Sequence, residues 1–422
     1  MNAAPGSRNP FAVLARHREY RIFWTGQTAS LVGTWMQSMA QGWLALQLSD
    51  SALVVGLVAS MNALPMLLFS FHAGALADQG DRLRIVRLAQ TVFLLEATTL
   101  WLLTWSGHIT VPLLMLLAAV HGACSTVEIP ARQALVFELV GREDLQPAIA
   151  LNSSGFNLAR VVGPAIGGVV IAQLGLAWCF GLNALSYGFV LLGLYRITST
   201  RPPIDPKDTV EWSIELVRGA VRSSNHRVRD GMRYLLQPGL VRDLLIMVGV
   251  GAVFAGPIIT LMPVFARDRL GLGAGGYGSL LSALGVGGVI GALMLAGPLS
   301  QARRGPMLAG AAVVYPLLLL ALAFAHDAWI ALALLPFVGA ALITFNSLAN
   351  GVLQTLVADE YRGRLMALYG LIIIGLSQSV GALSAGAMAR AFGVHWSVGG
   401  GAVITLGFAW YTLRKRPELR SA

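Results

Sequence analysis

Residues 244–266 read LLIMVGVGAVFAGPIITLMPVFA, a stretch without a single charged side chain. In a helix that rises 1.5 Å per residue, about 20 apolar residues cross the roughly 30 Å hydrocarbon core of a membrane. Charged residues flank the stretch at 242–243 and at 267–269. Its length, its composition and its charged ends predict a transmembrane helix.

Similar stretches recur along the whole chain of 422 residues. Hydrophobic residues make up 56% and charged residues 12%, whereas about 25% of residues are charged in soluble proteins. So few charges exclude two or three soluble domains, and so many apolar residues exclude a disordered chain. The apolar residues are not confined to one anchor, which argues against a tethered soluble enzyme. The composition therefore predicts a polytopic membrane protein.

We predict an all-α integral membrane protein with twelve transmembrane helices in two six-helix, pseudo-symmetric halves. The first six spans are expected near 22–47, 52–77, 85–105, 111–139, 146–173 and 178–197. The second six are expected near 242–266, 275–300, 306–325, 328–356, 365–391 and 396–413. The N-terminal half is then 1–197, the cytoplasmic linker 198–241 and the C-terminal half 242–422. Apolar residues at helical spacing predict an amphipathic helix within the linker.

A weak internal repeat supports the two halves. Gly175 and Trp178 follow the fifth span, and Gly393 and Trp396 follow the eleventh span, 218 residues later. Two halves related by an axis along the membrane normal are typical of secondary transporters.

The distribution of basic residues predicts the orientation. Most of the 30 Lys and Arg residues fall in one set of loops, together with both termini, whereas the opposite loops hold only Arg267, Arg269 and Arg390. Basic loops remain in the cytoplasm, so we expect both termini there. The same bias accounts for the net charge of +10. The basic residues do not cluster with aromatic residues on one face, so no nucleic-acid partner is expected.

Polar side chains recur at helical spacing on one face of the first span and again on the tenth. Polar groups inside a membrane usually face the bundle interior or a water-filled cavity. The length of the first stripe favours a substrate cavity, and hydrogen bonding between helices is the alternative. The predicted cavity residues are Gln27, Thr34, Gln37, Gln41, Asn346 and Asn350.

Several ionisable side chains lie deep within the predicted spans. Glu128 and Arg160 fall at similar depth on consecutive spans, and an unpaired charge there costs about 3 kcal/mol or more, so we predict that they pair. Glu96 is a second acid at that depth, and His121 shares a helical face with Glu128 and titrates near neutral pH when unperturbed. The pair of Glu128 and Arg160 either binds substrate or exchanges a proton during transport, or it is a permanent structural ion pair. Glu96 and His121 are further candidates for proton coupling.

Enzymatic motifs are missing from the sequence. It contains no Walker-type loop, no His-Glu-x-x-His, no Cys-x-x-Cys and no Gly-x-Ser-x-Gly, each of which serves a specific chemistry. We therefore expect no enzymatic activity, no cofactor and no metal site. A membrane enzyme that uses the buried acids and His121 is the weaker alternative.

Residues 74–84, GALADQGDRLR, resemble the loop signature of the major facilitator superfamily. Gly74, Asp78 and Arg82 match it, while Gln79 departs from it. In that family the loop acts as a conformational latch, which the resemblance implies for these residues. Glu138, at the end of the fourth span, is the partner that we expect for Arg82.

Residues 159–168, ARVVGPAIGG, resemble the fifth-span signature of antiporters in the same superfamily. The core of that motif is retained, although Ala159 stands where a glycine is usual. The matching residues are Gly163, Pro164, Gly167 and Gly168.

Asp81-Arg82, residues 130–132 and residues 231–235 are similar to the secretion-effector branch of the superfamily, which includes siderophore exporters and macrolide efflux pumps. The resemblance implies a multi-pass transporter of the bacterial inner membrane that exports a siderophore or an amphipathic drug by alternating access and proton antiport. Its partners are then a small-molecule substrate, protons and membrane lipid, and it acts as a monomer. A transporter-like sensor or assembly subunit that moves nothing is the alternative.

Overall fold

The computed structural model describes residues 11–79, 81–198, 237–300 and 302–420. The side chains of residues 71–72 and 74–79 are not among those described. The predicted amphipathic helix of the linker also lies outside the described residues. Within these ranges the chain is built from helices, beginning with a short one, Ala12–Arg16, and ending with a 3₁₀ turn, Pro417–Arg420.

Twelve long helical segments follow one another in the described residues. The first six are α1 (Arg18–Ser49), α2 (Ala52–Gln79), α3 (Arg82–Trp105), α4 (Val111–Val140), α5 (Leu145–Leu174) and α6 (Ala177–Leu194). The second six are α7 (Leu240–Arg269), α8 (Ala274–Ala296), α9 (Arg304–Ala323), α10 (Ala328–Leu356), α11 (Asp359–Phe392) and α12 (Val394–Lys415). Ten of these segments have the length and apolar composition of membrane spans. Helices α1 and α12 are more polar but are 32 and 22 residues long.

Two of the helices change their hydrogen-bonding pattern along their length. Helix α7 consists of Leu240–Phe254, Ile258–Val264 and the π-helical segment Phe265–Arg269. Helix α11 contains the π-helical segment Leu371–Gly381. Such π segments are uncommon and often accompany functional sites.

Glycines in the left-handed conformation separate several of the spans. Gly175 ends α5 with φ 92°, and Gly393 ends α11 with φ 90°. Glycine occupies this backbone region without a steric penalty. The two glycines of the internal repeat therefore have the same structural role in both halves. Asp50, with φ 50°, is the non-glycine residue that separates α1 from α2.

The repeat is also present in the packing of helices. A Cβ atom at Gly163 on α5 would lie 2.8 Å from the carbonyl oxygen of Val32 on α1. A Cβ atom at Gly381, 218 residues later on α11, would lie 3.0 Å from the carbonyl oxygen of Val253 on α7. In both halves, glycine thus allows the first and fifth helices to approach at backbone contact.

The chain forms two compact units. The first contains the described residues of 1–40, 69–109 and 123–221, and the second those of 41–68, 110–122 and 222–422. The core of the first unit includes Tyr20, Phe23 and Leu135, and the core of the second includes Leu244 and Leu353. The second unit therefore combines the C-terminal helices with one end of α1, α2 and α4.

Large apolar side chains also project from the outer surfaces of the helices. Leu95 is 61% exposed, Phe189 69% and Phe337 64%. Exposed apolar surface of this extent is unfavourable in water and is suited to lipid. Trp105 and Trp329, at the charge-poor ends of α3 and α10, are exposed as well, as expected for side chains in the interfacial aromatic belt.

Candidate functional site

A buried carboxyl group links three helices of the first unit. Glu96 on α3 is 3% exposed, and both of its carboxyl oxygens accept from Nε2 of Gln37 on α1, at 3.2 and 3.0 Å. The amide oxygen of Gln37 accepts in turn from Nδ2 of Asn183 on α6, at 2.8 Å. Gln37 thereby connects α3 to α6, because its amide nitrogen donates to one helix and its amide oxygen accepts from the other.

The polar network continues along α6. Ser186 Oγ donates to Asn183 Oδ1 at 3.0 Å and lies 3.4 Å from Ser30 Oγ on α1. A Cβ atom at Gly33 would lie within 3.0 Å of Ser186 Oγ and even closer to Asn183 Oδ1. A side chain at position 33 would therefore force the Asn183 and Ser186 side chains to shift.

A second polar contact joins α1 to α6 one turn away. Thr34 Oγ1 lies 3.0 Å from the hydroxyl oxygen of Tyr187. The Tyr187 ring stacks on Phe93 of α3, with centroids 5.4 Å apart. Phe93, Ala97 and Ala184 belong to the same buried apolar cluster. The network is thus enclosed by apolar side chains, which strengthens its hydrogen bonds.

These contacts correct the prediction that Gln37 lines a substrate cavity. Gln37 is 2% exposed, and its amide forms the interhelical hydrogen bonds that were the alternative. Gln27 and Gln41 are buried too, at 9% and 6% exposed. The spacing of these residues identified one helical face but not its surroundings, which depend on how α1 is rotated against α3 and α6.

The polar residues of α10 are less buried. Asn346 and Asn350 are half-buried. Asn350 Oδ1 accepts from Gln354 Nε2 at 3.0 Å, and the backbone oxygen of Asn346 accepts from the Tyr369 hydroxyl at 2.6 Å. Both asparagines remain candidates for contact with a substrate.

The predicted ion pair between Glu128 and Arg160 is wrong. Glu128, 4% exposed, accepts from Arg132 Nε on the same helix at 3.0 Å. Residues four apart on a helix are neighbours whatever the tertiary packing, so Arg132 satisfies Glu128 within α4. Arg160 is half-buried and forms no ion pair with any described residue. His121 lies about two turns before Glu128 on α4 and is half-buried.

The predicted pair between Arg82 and Glu138 is confirmed. Arg82 Nη1 donates to Glu138 Oε1 at 2.8 Å, and both side chains are largely shielded. The pair joins the start of α3 to the end of α4. Gly74 and Asp78 lie on α2, but their side-chain surroundings are outside the described part of the chain. The role of Asp78 in a latch therefore stays a prediction.

The antiporter-like motif packs α5 directly on α1. A Cβ atom at Gly163 would lie 2.6 Å from Trp35 Cβ, and one at Gly167 would lie 3.0 Å from Met39 Sδ. Pro164 and Gly168 are buried beside them. The small residues of the motif hold two helices at a separation that no larger side chain permits.

In the second unit, the charge-poor end of α1 contacts the C-terminal helices. Asp50 Oδ1 lies 2.6 Å from Arg267 Nη2, and Trp43 stacks on Tyr277 with centroids 5.8 Å apart. The sequence analysis did not identify this contact. The sequence does contain an indication of it. Arg267 is one of the few basic residues in the charge-poor loops, and Asp50 is an acidic residue in a different charge-poor loop.

Small residues make a second contact at the same end of the second unit. A Cβ atom at Gly386 on α11 would lie 2.7 Å from the carbonyl oxygen of Ala52 and 3.3 Å from Gly56 Cα on α2. The first turns of α2 therefore pack closely on α11, in addition to the ionic and aromatic contacts.

Comparison with known proteins gives a consistent assignment. The family model described as "Transmembrane secretion effector" matches residues 8–421. The multidrug efflux pump Tap of Mycolicibacterium fortuitum is 26% identical over 86% of this chain and 87% of its own length. The staphyloferrin A transporter of Staphylococcus aureus is 30% identical over 41% of this chain. The enterobactin exporter EntS of Shigella boydii is 26% identical over 69% of this chain.

The match spans 44% of the length of the staphyloferrin A transporter and 66% of that of the enterobactin exporter. Among solved structures, a bacterial homologue of the human lysosomal transporter Spinster, in an inward-facing and unoccupied conformation, superposes with a TM-score of 0.73. It is 12% identical and covers 98% of this chain and 99% of its own. A D-xylose–proton symporter gives a TM-score of 0.69 at 14% identity, over 95% and 99% of the two chains. These similarities establish the fold of a major facilitator transporter.

Proposed function

We propose that this chain, which belongs to the transmembrane secretion effector family of the major facilitator superfamily, exports a small organic molecule from the cytoplasm by proton antiport. The chain is a multi-pass protein of the inner membrane and is a transporter, not an enzyme. Export is the activity for which the enterobactin exporter and the multidrug efflux pump are named. A siderophore or an amphipathic drug is accordingly the proposed substrate.

The observation that carries the proton-coupling proposal is the environment of Glu96. Its carboxyl group is buried in a membrane span and accepts from an uncharged amide at both oxygens. The amide of Gln37 can donate to the carboxylate and, more weakly, to the carbonyl oxygen of the protonated carboxyl, so a hydrogen bond is available in both states. Ionisable groups at such positions are typical of proton relays. Glu96 is therefore the proposed proton carrier, and Glu128 and His121 are further candidates on α4.

Protonation of Glu96 is proposed to drive alternating access through α1. The charge of Glu96 acts on Gln37, and Gln37 lies on the helix that packs against the antiporter-like motif at Gly163. A change in charge at α3 would thus bias a pair of helices that are in backbone contact. Arg82 and Glu138, together with Gly74 and Asp78, are proposed to form the latch that holds one conformation.

The remaining features of the proposal follow from the charge distribution and the composition. Both termini are proposed to be cytoplasmic, and the protein is proposed to work as a monomer in contact with lipid. The polar residues Asn346 and Asn350 on α10 are the proposed cavity residues that retain exposure. No nucleic acid, metal or cofactor enters the proposed cycle.

Transport in vesicles tests the proposal. The purified protein, reconstituted in liposomes, should move ethidium or carboxyfluorescein against its gradient when a pH gradient is imposed. Collapse of the pH gradient and the membrane potential should remove accumulation while leaving downhill exchange. Accumulation that persists undiminished after both collapses contradicts proton antiport. No movement of either dye in either direction would favour the sensor or assembly subunit instead.

A further inference from the structure

Arg160 is a charged side chain whose partner the described residues do not supply. It lies near the middle of α5, is half-buried and forms no ion pair within the described ranges, and its Nε atom is buried without a hydrogen bond. Glu128, the acid that its position suggested, is occupied by Arg132. An arginine inside a membrane span costs about 3 kcal/mol or more on insertion scales and is usually paired. Within the part of the chain that the structure describes, no group compensates this charge.

Arg160 shares one face of α5 with two other polar side chains. Ser153 and Asn157 precede it at intervals of four and three residues, which places all three on one side of the helix. Asn157 is half-buried and Ser153 exposed, and Asn157 Nδ2 donates back to the Ser153 carbonyl at 2.9 Å. Leu158 and Val169, both 56% exposed, lie on a different side. The apolar side is suited to lipid, whereas the polar side is suited to polar surroundings such as a water-filled cavity.

An aromatic pair lies next to this polar face. Phe156, 44% exposed, packs edge-on against Trp35 of α1 with ring centroids 5.7 Å apart. Gly163 fixes α5 against the same tryptophan. Arg160 thus projects from a rigidly held helix, one turn from an exposed aromatic surface.

We propose that Arg160 binds the anionic group of the transported molecule, and hence that the substrate is an organic anion with an aromatic or other apolar body. The guanidinium group presents a planar fork of donors that matches carboxylate, sulfonate or phosphate oxygens. Asn157 and Ser153 provide further polar contacts, and Phe156 packs against the body of the molecule. This inference rests on the proposed export function and narrows its substrate class.

Binding measurements on the intact protein test the inference without requiring transport. Isothermal titration of the purified full chain uses two matched probe pairs, 2-naphthoate with 2-naphthamide and naphthalene-2-sulfonate with naphthalene-2-sulfonamide. The wild-type protein should bind the anionic member of each pair about tenfold or more tightly than the neutral one, since a charge-assisted hydrogen bond contributes about 1.5–3 kcal/mol. Arg160→Gln should remove that preference with little change for the neutral probes. Arg160→Lys should keep part of it.

Arg196→Gln is the matched control, because Arg196 is exposed at the end of α6 and makes no ion pair among the described residues. It should retain the full anion preference. A wild-type protein that binds anionic and neutral probes equally, or binds neither up to their solubility, overturns the inference. Retention of the preference in Arg160→Gln does so as well.

A second measurement uses the native side chain, so it does not depend on the folding of a variant. Phenylglyoxal modification of Arg160, mapped by mass spectrometry, should be slowed by 2-naphthoate and not by 2-naphthamide. Equal rates of Arg160 labelling in the presence of 2-naphthoate and of 2-naphthamide overturn the inference. The export proposal is tested independently of this inference. Dye transport by a protein that shows no preference for anions would contradict only the role of Arg160.

Discussion

At the scale of single residues, Glu96 and Glu128 are both buried acids, but the side chains that donate hydrogen bonds to them differ in charge. Glu96 accepts from the neutral amide of Gln37, whereas Glu128 is paired with Arg132. Arg132 carries a charge that Gln37 lacks, and we therefore propose Glu96, before Glu128, as the site of proton exchange.

The pair of Glu128 and Arg132 can be tested by removing its members singly and together. Arg132→Gln leaves the buried Glu128 without its ionic partner, which typically costs about 3–5 kcal/mol, and Glu128→Gln leaves the half-buried Arg132 without its own. We expect both single variants to yield less folded protein and the double variant to regain that yield. Size-exclusion chromatography of the detergent-solubilised protein measures the yield of folded protein.

Transport by the double variant then decides whether the pair is also functional. If Glu128 takes part in coupling, the double variant stays inactive despite its restored yield. A double variant that transports at the wild-type rate would make the pair purely structural.

The helices are the scale at which the sequence was most informative. Each predicted span corresponds to a helix among the described residues, and ten of these helices have the length and composition to cross a membrane. A run of about 20 apolar residues has few alternatives to a membrane helix. Helix α11 begins at Asp359 rather than near 365, since its first turn is polar and hydropathy does not report helix outside the membrane. The partner of Glu96 was not predictable, because it depends on the rotation of α1 against α3.

Local and terminal contacts were more accessible from the sequence. Arg82 and Glu138 lie at adjoining ends of consecutive antiparallel helices, so their pairing followed from topology. Glu128 and Arg132 are four residues apart and are therefore neighbours on any helix. Such short-range geometry is a stronger indicator of an ion pair than similar depth in the membrane.

A single methyl group tests the packing of α5 on α1. Gly163→Ala would place a Cβ atom 2.8 Å from the Val32 carbonyl oxygen, so the helices must separate, at a cost of about 1–3 kcal/mol. Gly188→Ala on α6 is the control, because no atom lies within 4 Å of its Cβ position and alanine there is neutral or stabilising by up to about 1 kcal/mol. Thermal unfolding in detergent should rank Gly163→Ala below the control. Equal midpoints would contradict the backbone contact.

At the scale of the whole molecule, the second compact unit combines the C-terminal helices with the charge-poor ends of α1, α2 and α4. Within that unit, Asp50 pairs with Arg267, and Trp43 stacks on Tyr277. In the proposed alternating-access cycle, contacts that break when this end opens should influence the transport rate.

Reversing charges at this end tests its contribution. Asp50→Arg replaces an attraction to Arg267 by repulsion, whereas Asp50→Arg combined with Arg267→Asp restores the opposite charges. An exposed ion pair contributes up to about 1 kcal/mol, so the single variant should change the transport rate by about fivefold or less. The combined variant should return toward the wild-type rate. Identical initial rates in all three proteins would exclude a role for the pair.

Proton movement coupled to transport is the most direct test of the central claim that Glu96 carries the coupling proton. Liposomes containing the protein and an internal pH-sensitive dye should show proton flux in the wild type when a transported dye gradient is imposed. Glu96→Gln should abolish that flux while dye exchange continues, and Glu143→Gln, at an exposed loop position, should leave the flux unchanged. Proton flux of wild-type size in Glu96→Gln would contradict the account.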